Sequence, residues 1–417
     1  MPICIACTCW NADRRLPARD LSSEHRQRGA PALPFRAWPV QIRPMGVQDV
    51  RLRQTARYLA DEALDGLVAV NYGHNSFLES HAVFVLSGVR PIGESAVVVD
   101  RGGGSTLIVT PAWDGERAAA VSRTAKTIGA DDLPGALAAV LQNHCIDPQK
   151  TVSVGISTLG LALARRIEAT LGGQARANDS YIRELARIRS PEELAAARKA
   201  TAIAERGYEH LLACVRPGMR EFELAAELYC FMKALGAEDN FLLLSASQHN
   251  LAVRAAGGRV LDVGDVILSE ITPCYQGQFA QLCRTTVIGE PSALMLEKYA
   301  VLQEAMRAGQ RAAVPGAAVR QVSEAMDDCF RAAGYGDYCR PPYMRVRGHG
   351  LGITSDLPGD ITVDSETQLE DGMVFVMHPN QYIPETGYLM CGEPVVITPA
   401  GAKALSARVA QLDSVAA

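Results

Sequence analysis

The sequence predicts an α+β protein whose main domain follows a smaller α/β unit. Three observations carry that expectation. Apolar strand-like runs alternate with helical periods up to about residue 171, the pattern of a sheet covered by helices. A polar break at Asn178–Ser180 is followed by Ser190-Pro191-Glu192-Glu193, a strong helix start. After it, strands and helices interleave without the strict βαβ alternation of a doubly wound sheet.

Taken in order, Val50, Leu52, Ala56, Leu59 and Ala60 space one amphipathic helix over 47–62. Strands are expected at Gly66–Asn71, Ser95–Asp100 and Ser105–Thr110, the last two joined by the turn Arg101-Gly102-Gly103-Gly104. A helix over 134–143, a strand over 151–155 and a helix over 159–171 complete this part. Ser190 as N-cap, Pro191 at the first helical position and two glutamates in the first turn open a long helix. A second helix fits Glu221–Leu235 after the Arg216-Pro217-Gly218 turn. Strands follow at 266–273, 277–288, 373–378 and 394–398, with helices at 294–313 and 319–333. The expected organisation is therefore a disordered leader over 1–45, an α/β domain over 46–180 and the main α+β domain over 181–417.

Composition excludes several classes. A net charge of −5 and a pI near 6.0 give no electrostatic footprint for nucleic acid or an anionic membrane. No apolar run approaches the roughly 20 residues of a spanning helix. Eleven scattered cysteines, an odd number, suit reduced thiols and a cytoplasmic location. Cys4, Cys7 and Cys9 cluster, but no fourth ligand follows at zinc-site spacing. The Met45-Gly46 pair before the first periodic segment fits a leader outside the fold.

Several motifs, in order, resemble one family. Gly264-Asp265 precedes an acidic strand bearing Glu270, and Gln281 stands eleven residues later, before Arg284-Thr285. Gly348-His349-Gly350-Leu351-Gly352, Leu369-Glu370-Asp371-Gly372-Met373-Val374 and Gly392-Glu393-Pro394-Val395 follow. Together with the Ser190 helix start, these resemble the pita-bread family of methionine aminopeptidases, Xaa-Pro peptidases and creatinases (M24). The likeness covers about residues 46–405, and the first domain resembles that of creatinases and Xaa-Pro peptidases. The resemblance implies a pita-bread catalytic domain, a homodimer, and a small-molecule or short-peptide substrate. It also implies that Tyr72–Asn75 and His81 fall where the N-terminal domain of such dimers covers the partner's site.

The resemblance further implies a site whose usual metal ligands are mostly replaced. Metal-binding relatives carry aspartates about where Glu270 and Gln281 stand, and a glutamate where His378 stands. The final glutamate aligns with Gly392, leaving Glu393 one position out. A bridging carboxylate carries charge on two oxygens, whereas an amide offers one neutral acceptor. Glu270 and Glu393 supply at most about two negative charges against the four of an intact dinuclear site. No cofactor is expected; the alternative is a single divalent metal ion on His349, His378 and a glutamate.

The expected catalytic residues are His349, His378, Glu270 and Glu393. A glycine-flanked histidine is free to line a site, and imidazole suits a general base without a metal to acidify water. Glu270 sits among Ile267, Leu268 and Ile271, where a carboxylate needs a partner or a raised pKa. Gln281, Arg284, His249 and Cys283 are expected to bind substrate. Regular alternation puts Arg284 on the face opposite Gln281 and Cys283, so its part is more a supporting one. The leading functional expectation is a creatinase-like, metal-independent hydrolase cleaving a C–N bond in a small amide, amidino or dipeptide-like substrate. A mononuclear Xaa-Pro-type peptidase and a non-catalytic binding protein are the alternatives.

Overall fold

The structure, a computed structural model, describes residues 50–73, 77–78, 81–173 and 176–417. The leader through residue 45, its three cysteines, Met45-Gly46, and His74 and Asn75 lie outside the described residues. Up to Ala177 the chain builds a six-stranded mixed sheet. In spatial order its strands are Lys126–Gly129, Ser105–Val109, Glu94–Asp100, Gly66–Tyr72, Thr151–Val154 and Arg176–Ala177. The Gly-rich segment after Asp100 turns tightly enough for an antiparallel pair, Ser95 opposite Val109. These strands read as continuous valine runs because both faces are covered: Leu67, Ala69, Val97 and Val99 pack on one side, Val68, Val70, Ala96 and Val98 on the other.

The long helix Pro191–Cys214 begins as its capping chemistry dictates. Ser190 Oγ accepts from the Glu193 amide at 3.3 Å, and the Ser190 amide donates to the Glu193 carboxylate at 3.0 Å. Glu193 has a second duty. Arg51, on the first helix Val50–Asp61, grips it through both guanidinium nitrogens at 2.8 Å, and the pair is buried. Removing one member of such a pair costs about 3–5 kcal/mol, so the first helix is pinned to the start of the second half of the fold.

Beyond it, one sheet orders Asp413–Val415, Leu282–Ile288, Val266–Tyr275 and Asp239–Ser247. A second orders Gly348–Gly350, Val374–Met377, Glu393–Thr398 and Gly401–Ala404. They meet where Cys283 and Gly392 exchange backbone hydrogen bonds of 3.2 and 3.0 Å. Helices Pro191–Cys214 and Glu221–Ala234 cover the outer face of the first sheet around Tyr208, Leu228 and Met232. Helices Ala293–Ala312 and Val319–Ala332 pack with Phe375, Met377 and Met390.

Several elements were not legible, the helix Asp179–Ala186 at the expected polar break among them, and one expectation is corrected. The helix Ala82–Ser87 is buried all round, so it shows no period. The strand Asp239–Ser247 opens on two polar residues and runs Leu-Leu-Leu without alternation. The expected strand over 277–288 divides into Gln278–Phe279 and Leu282–Ile288, with Ala280 and Gln281 between them. Its register nevertheless continues: Ala280 donates to the Pro273 carbonyl at 3.1 Å. Among the described residues, no helix is long and apolar enough to cross a membrane.

Candidate active site

Cross-strand register assembles the floor of the candidate site. Glu270 stands opposite Cys283, and the continuing pairs Ile271–Leu282 and Cys274–Phe279 put Thr272 opposite Gln281. All four share one face of the sheet. Burial pushes the Glu270 carboxyl up to about 7, and a hydrogen bond from Gln281 pulls in the opposite direction. A carboxyl in that range is half protonated at neutral pH.

Two histidines stand near this floor. His349 lies on the short strand Gly348–Gly350, whose glycines are dictated by close approach: a Cβ at Gly350 would lie 2.1 Å from the Leu357 carbonyl carbon. Its Nδ1 donates to the Gly350 carbonyl at 2.8 Å, which leaves the lone pair on Nε2. His378 follows the strand Val374–Met377, and its ring lies edge-on to His349 at 5.2 Å. Burial lowers both, and His378 falls to about 3, its neutral form further favoured by His349. Phe77 closes one side, 5.8 Å from His349 and packed on Phe279 and Phe241.

Gly392 explains how His378 is accommodated. A Cβ at residue 392 would lie 2.7 Å from Cys283 Cβ and 2.9 Å from His378 Cβ. Position 392 thus faces the site, and the absence of a side chain there makes room for the other two. Glu393 faces away. Its carboxylate takes a 2.9 Å hydrogen bond from Arg284 and another from Ser406, and it is 3% exposed. Burial raises its pKa against the pull of Arg284.

The structure turns Glu393 and Arg284 away from the floor, against the catalytic and substrate-binding parts expected of them, and leaves Cys283 on it and His249 at its rim. Glu393 is spent on Arg284 and Ser406, so it carries no proton into the cleft. Arg284 lies on the far face, bonded also to the Gly392 carbonyl at 2.6 Å and set 5.6 Å over the Tyr208 ring, which is a supporting position behind the floor. Cys283 does line the floor, but burial and then Glu270 hold its thiol well above the ordinary value, which disfavours thiolate. His249 sits at the rim, exposed, with Nε2 2.9 Å from the Pro384 carbonyl and its ring against Tyr382. His81 is likewise engaged: its Nδ1 caps the helix Ala82–Ser87 by accepting from the Phe84 amide at 3.0 Å.

Two residues escaped sequence reasoning. Tyr388 pairs across a hairpin with Tyr382 and packs beside Cys283; burial and then Glu270 keep its hydroxyl protonated, and Asn380 hydrogen-bonds to it. Asn380 also accepts from the Cys391 amide at 2.9 Å. The pairing of Asn380, Tyr382 and Tyr388 depends on a short hairpin, Gln381–Ile383 with Gly387–Leu389, too brief to leave a period-two pattern.

The fold has well-matched counterparts. The prolidase structure from Pyrococcus horikoshii superposes with a TM-score of 0.76 at 22% identity, over 87% of this chain and all of that one. The X-Pro aminopeptidase structure from Thermotoga maritima gives 0.76 at 22%, over 87% and 99%. This is the pita-bread fold. In sequence, the metallopeptidase family M24 profile matches residues 195–399. An Xaa-Pro dipeptidase of Pyrococcus furiosus is 29% identical over 78% of this chain and 90% of its own length. An uncharacterized peptidase of Bacillus subtilis is 30% identical over 54% of this chain, and the match spans 64% of that relative. Residues 195–399 thus carry the sequence signature of metallopeptidase family M24.

The family name implies metal, and the donors here do not fit a two-ion centre. With Glu393 neutralised by Arg284, Glu270 is, among the described residues, the one carboxylate on the floor, and it is itself half protonated. The bridging position holds the amide Gln281, and position 392 has no side chain. Among the described residues, no group of three or more His, Cys, Asp and Glu side chains converges as a metal shell. Two dications about 3.5 Å apart would face a single partial negative charge.

Proposed function

We propose that this protein is a hydrolase that cleaves a C–N bond in a short peptide or small amide, using His349, Glu270, Gln281, His378 and Tyr388. One observation carries the reading: a carboxyl poised near neutrality and an imidazole held neutral belong to one constellation, the pairing that acid–base catalysis needs. The dipeptidase and peptidase names of the relatives support the dipeptide-like substrate among those expected, rather than the amidino one.

In the proposed step His349 Nε2 takes a proton from water, whose oxygen bonds to the substrate carbonyl carbon. Tyr388 donates a hydrogen bond to the developing oxyanion, its hydroxyl set by Asn380. The C–N bond then breaks, and protonated Glu270 gives its proton to the departing nitrogen. The imidazolium returns a proton to the Glu270 carboxylate and resets the site. Gln281 orients Glu270 throughout. His378 keeps the surroundings of His349 apolar and uncharged.

The test is amine release from a panel of dipeptides and amino-acid amides, with chelator and with added divalent metal. Turnover that survives chelator and disappears in His349→Ala is expected. No release from any member under either condition would reject the hydrolase reading. A second reading, a mononuclear metal enzyme, is favoured by the family name and by the unpartnered His378 Nδ1. One tightly held equivalent of metal, lost together with activity in chelator, would select it. We also propose a homodimer, which light scattering at micromolar concentration would test; a monomer there rejects it.

A further inference from the structure

Two atoms on the floor of the site have no hydrogen-bond partner: Gln281 Oε1 and Thr272 Oγ1. Their residues are 1% and 0% exposed, and they stand opposite one another in register, two rungs from Glu270 and on its face of the sheet. Ser269 and Asn240 also carry unpaired atoms, but alternation puts both on the other face of the sheet. A buried acceptor left unmade costs about 1–3 kcal/mol, so native folds rarely leave two together unless something else fills them.

The chemistry of the pair limits what that can be. The Gln281 amide nitrogen is turned to Glu270, which leaves its carbonyl oxygen as a pure acceptor. A hydroxyl beside it accepts as well. Next to them stands the group that delivers a proton to the departing nitrogen. An acceptor pair beside a proton donor suits a nitrogen that already bears hydrogen and gains one more.

We propose that Gln281 Oε1 and Thr272 Oγ1 accept hydrogen bonds from the scissile nitrogen, so the substrate is a primary or secondary amide whose nitrogen carries N–H. A prolyl bond, whose nitrogen has no hydrogen, leaves both acceptors empty and is disfavoured. This rests on the hydrolase reading and narrows its substrate in a direction opposite to that of the Xaa-Pro relatives. As the C–N bond breaks and Glu270 protonates the nitrogen, the released amine has one more N–H and is held until it leaves.

The test is equilibrium binding to the full chain by calorimetry, which needs no turnover. Glycylglycine is compared with glycylsarcosine, and glycinamide with N,N-dimethylglycinamide, at up to millimolar concentrations. In each pair the N–H member should bind about tenfold more tightly. Thr272→Val replaces an unbonded hydroxyl with a methyl of the same shape; it should fold with unchanged or raised Tm and reduce that ratio to about threefold. Equal binding within the pairs, a preference for the N-methylated members, or no binding of any of the four would overturn the proposal. So would a ratio that Thr272→Val leaves unchanged. If the preference holds and no amine is ever released, the hydrolase reading fails instead.

Discussion

Replacing Glu270 with glutamine should make the protein more stable at pH 8 while removing its pH dependence near neutrality. In the folded chain burial moves this carboxyl from its ordinary 4.5 to about 7. The folded state therefore holds the proton more tightly than the unfolded chain between those values. Stability from this group is fully present below the unfolded value and falls as pH rises through the folded one. At roughly 1.4 kcal/mol per pH unit, the loss by pH 8 is about 3 kcal/mol. Glu270→Gln carries no charge to bury and keeps the acceptor that Gln281 uses. Its extra N–H₂ has to find a partner among the same buried atoms, which returns about 1 kcal/mol of the gain. Urea unfolding at pH 5 and pH 8 measures the difference: the amide cost is the same at both and cancels, so the variant should gain about 2.5 kcal/mol on wild type between the two. If both proteins change in parallel between pH 5 and 8, the carboxyl is not buried in the protonated range, and the acid assigned to it has no physical basis.

His378 gives a pH dependence of the opposite sign. Burial lowers it to about 3, so its contribution is present above the unfolded value near 6.5 and is lost as pH falls toward 3; His378→Phe should flatten the acid limb of the stability profile. His349→Ala should abolish amine release with little change in Tm, because the ring hangs on a glycine-flanked strand; an unchanged rate would move the chemistry elsewhere. Gly392→Ala should destabilise by about 1–3 kcal/mol, since its Cβ would meet Cys283 and His378 at 2.7 and 2.9 Å, and an unchanged unfolding midpoint would show that the site opens freely.

Most of the architecture was legible because its elements announce themselves locally. The Ser190 capping box, the valine runs around residues 67–70 and 97–99, and the two helices after Ser292 each follow from spacing and end chemistry. Of the candidate site, strand alternation made legible that Gln281 and Cys283 share one face of the sheet and Arg284 the other. Arg284 was expected on the far face and lies there, but its partner Glu393 could not be assigned a side from sequence. One backbone bridge, Cys283 to Gly392, decides that, and it joins two sheets more than a hundred residues apart in the chain. Tyr388 and Asn380 are a product of the same long-range closure.

The replaced ligands are tied to one another by packing, which bears on whether the site has decayed or been rebuilt. Without Gly392 there is no room for the His378 ring beside Cys283. Without Gln281 the half-buried Glu270 carboxyl would lose the side-chain hydrogen bond that it takes from that residue. A site released from function fills with apolar side chains, because unpaired buried polar atoms destabilise the fold. Here the opposite holds: two histidines, a carboxyl near neutrality, a half-buried tyrosine and two unpaired polar oxygens remain in one place. Restoring single family-like residues should therefore fail one at a time. Gly392→Glu alone should clash with His378 and lower stability, and Gln281→Asp alone should set a second carboxylate against Glu270 and raise its pKa further. The three changes made together, with His378→Glu, should be less destabilising than the sum of the singles and should bind divalent metal more tightly than the parent. Strict additivity in a thermodynamic cycle over these three positions would show that they were lost independently, and the rebuilt-site interpretation would not stand.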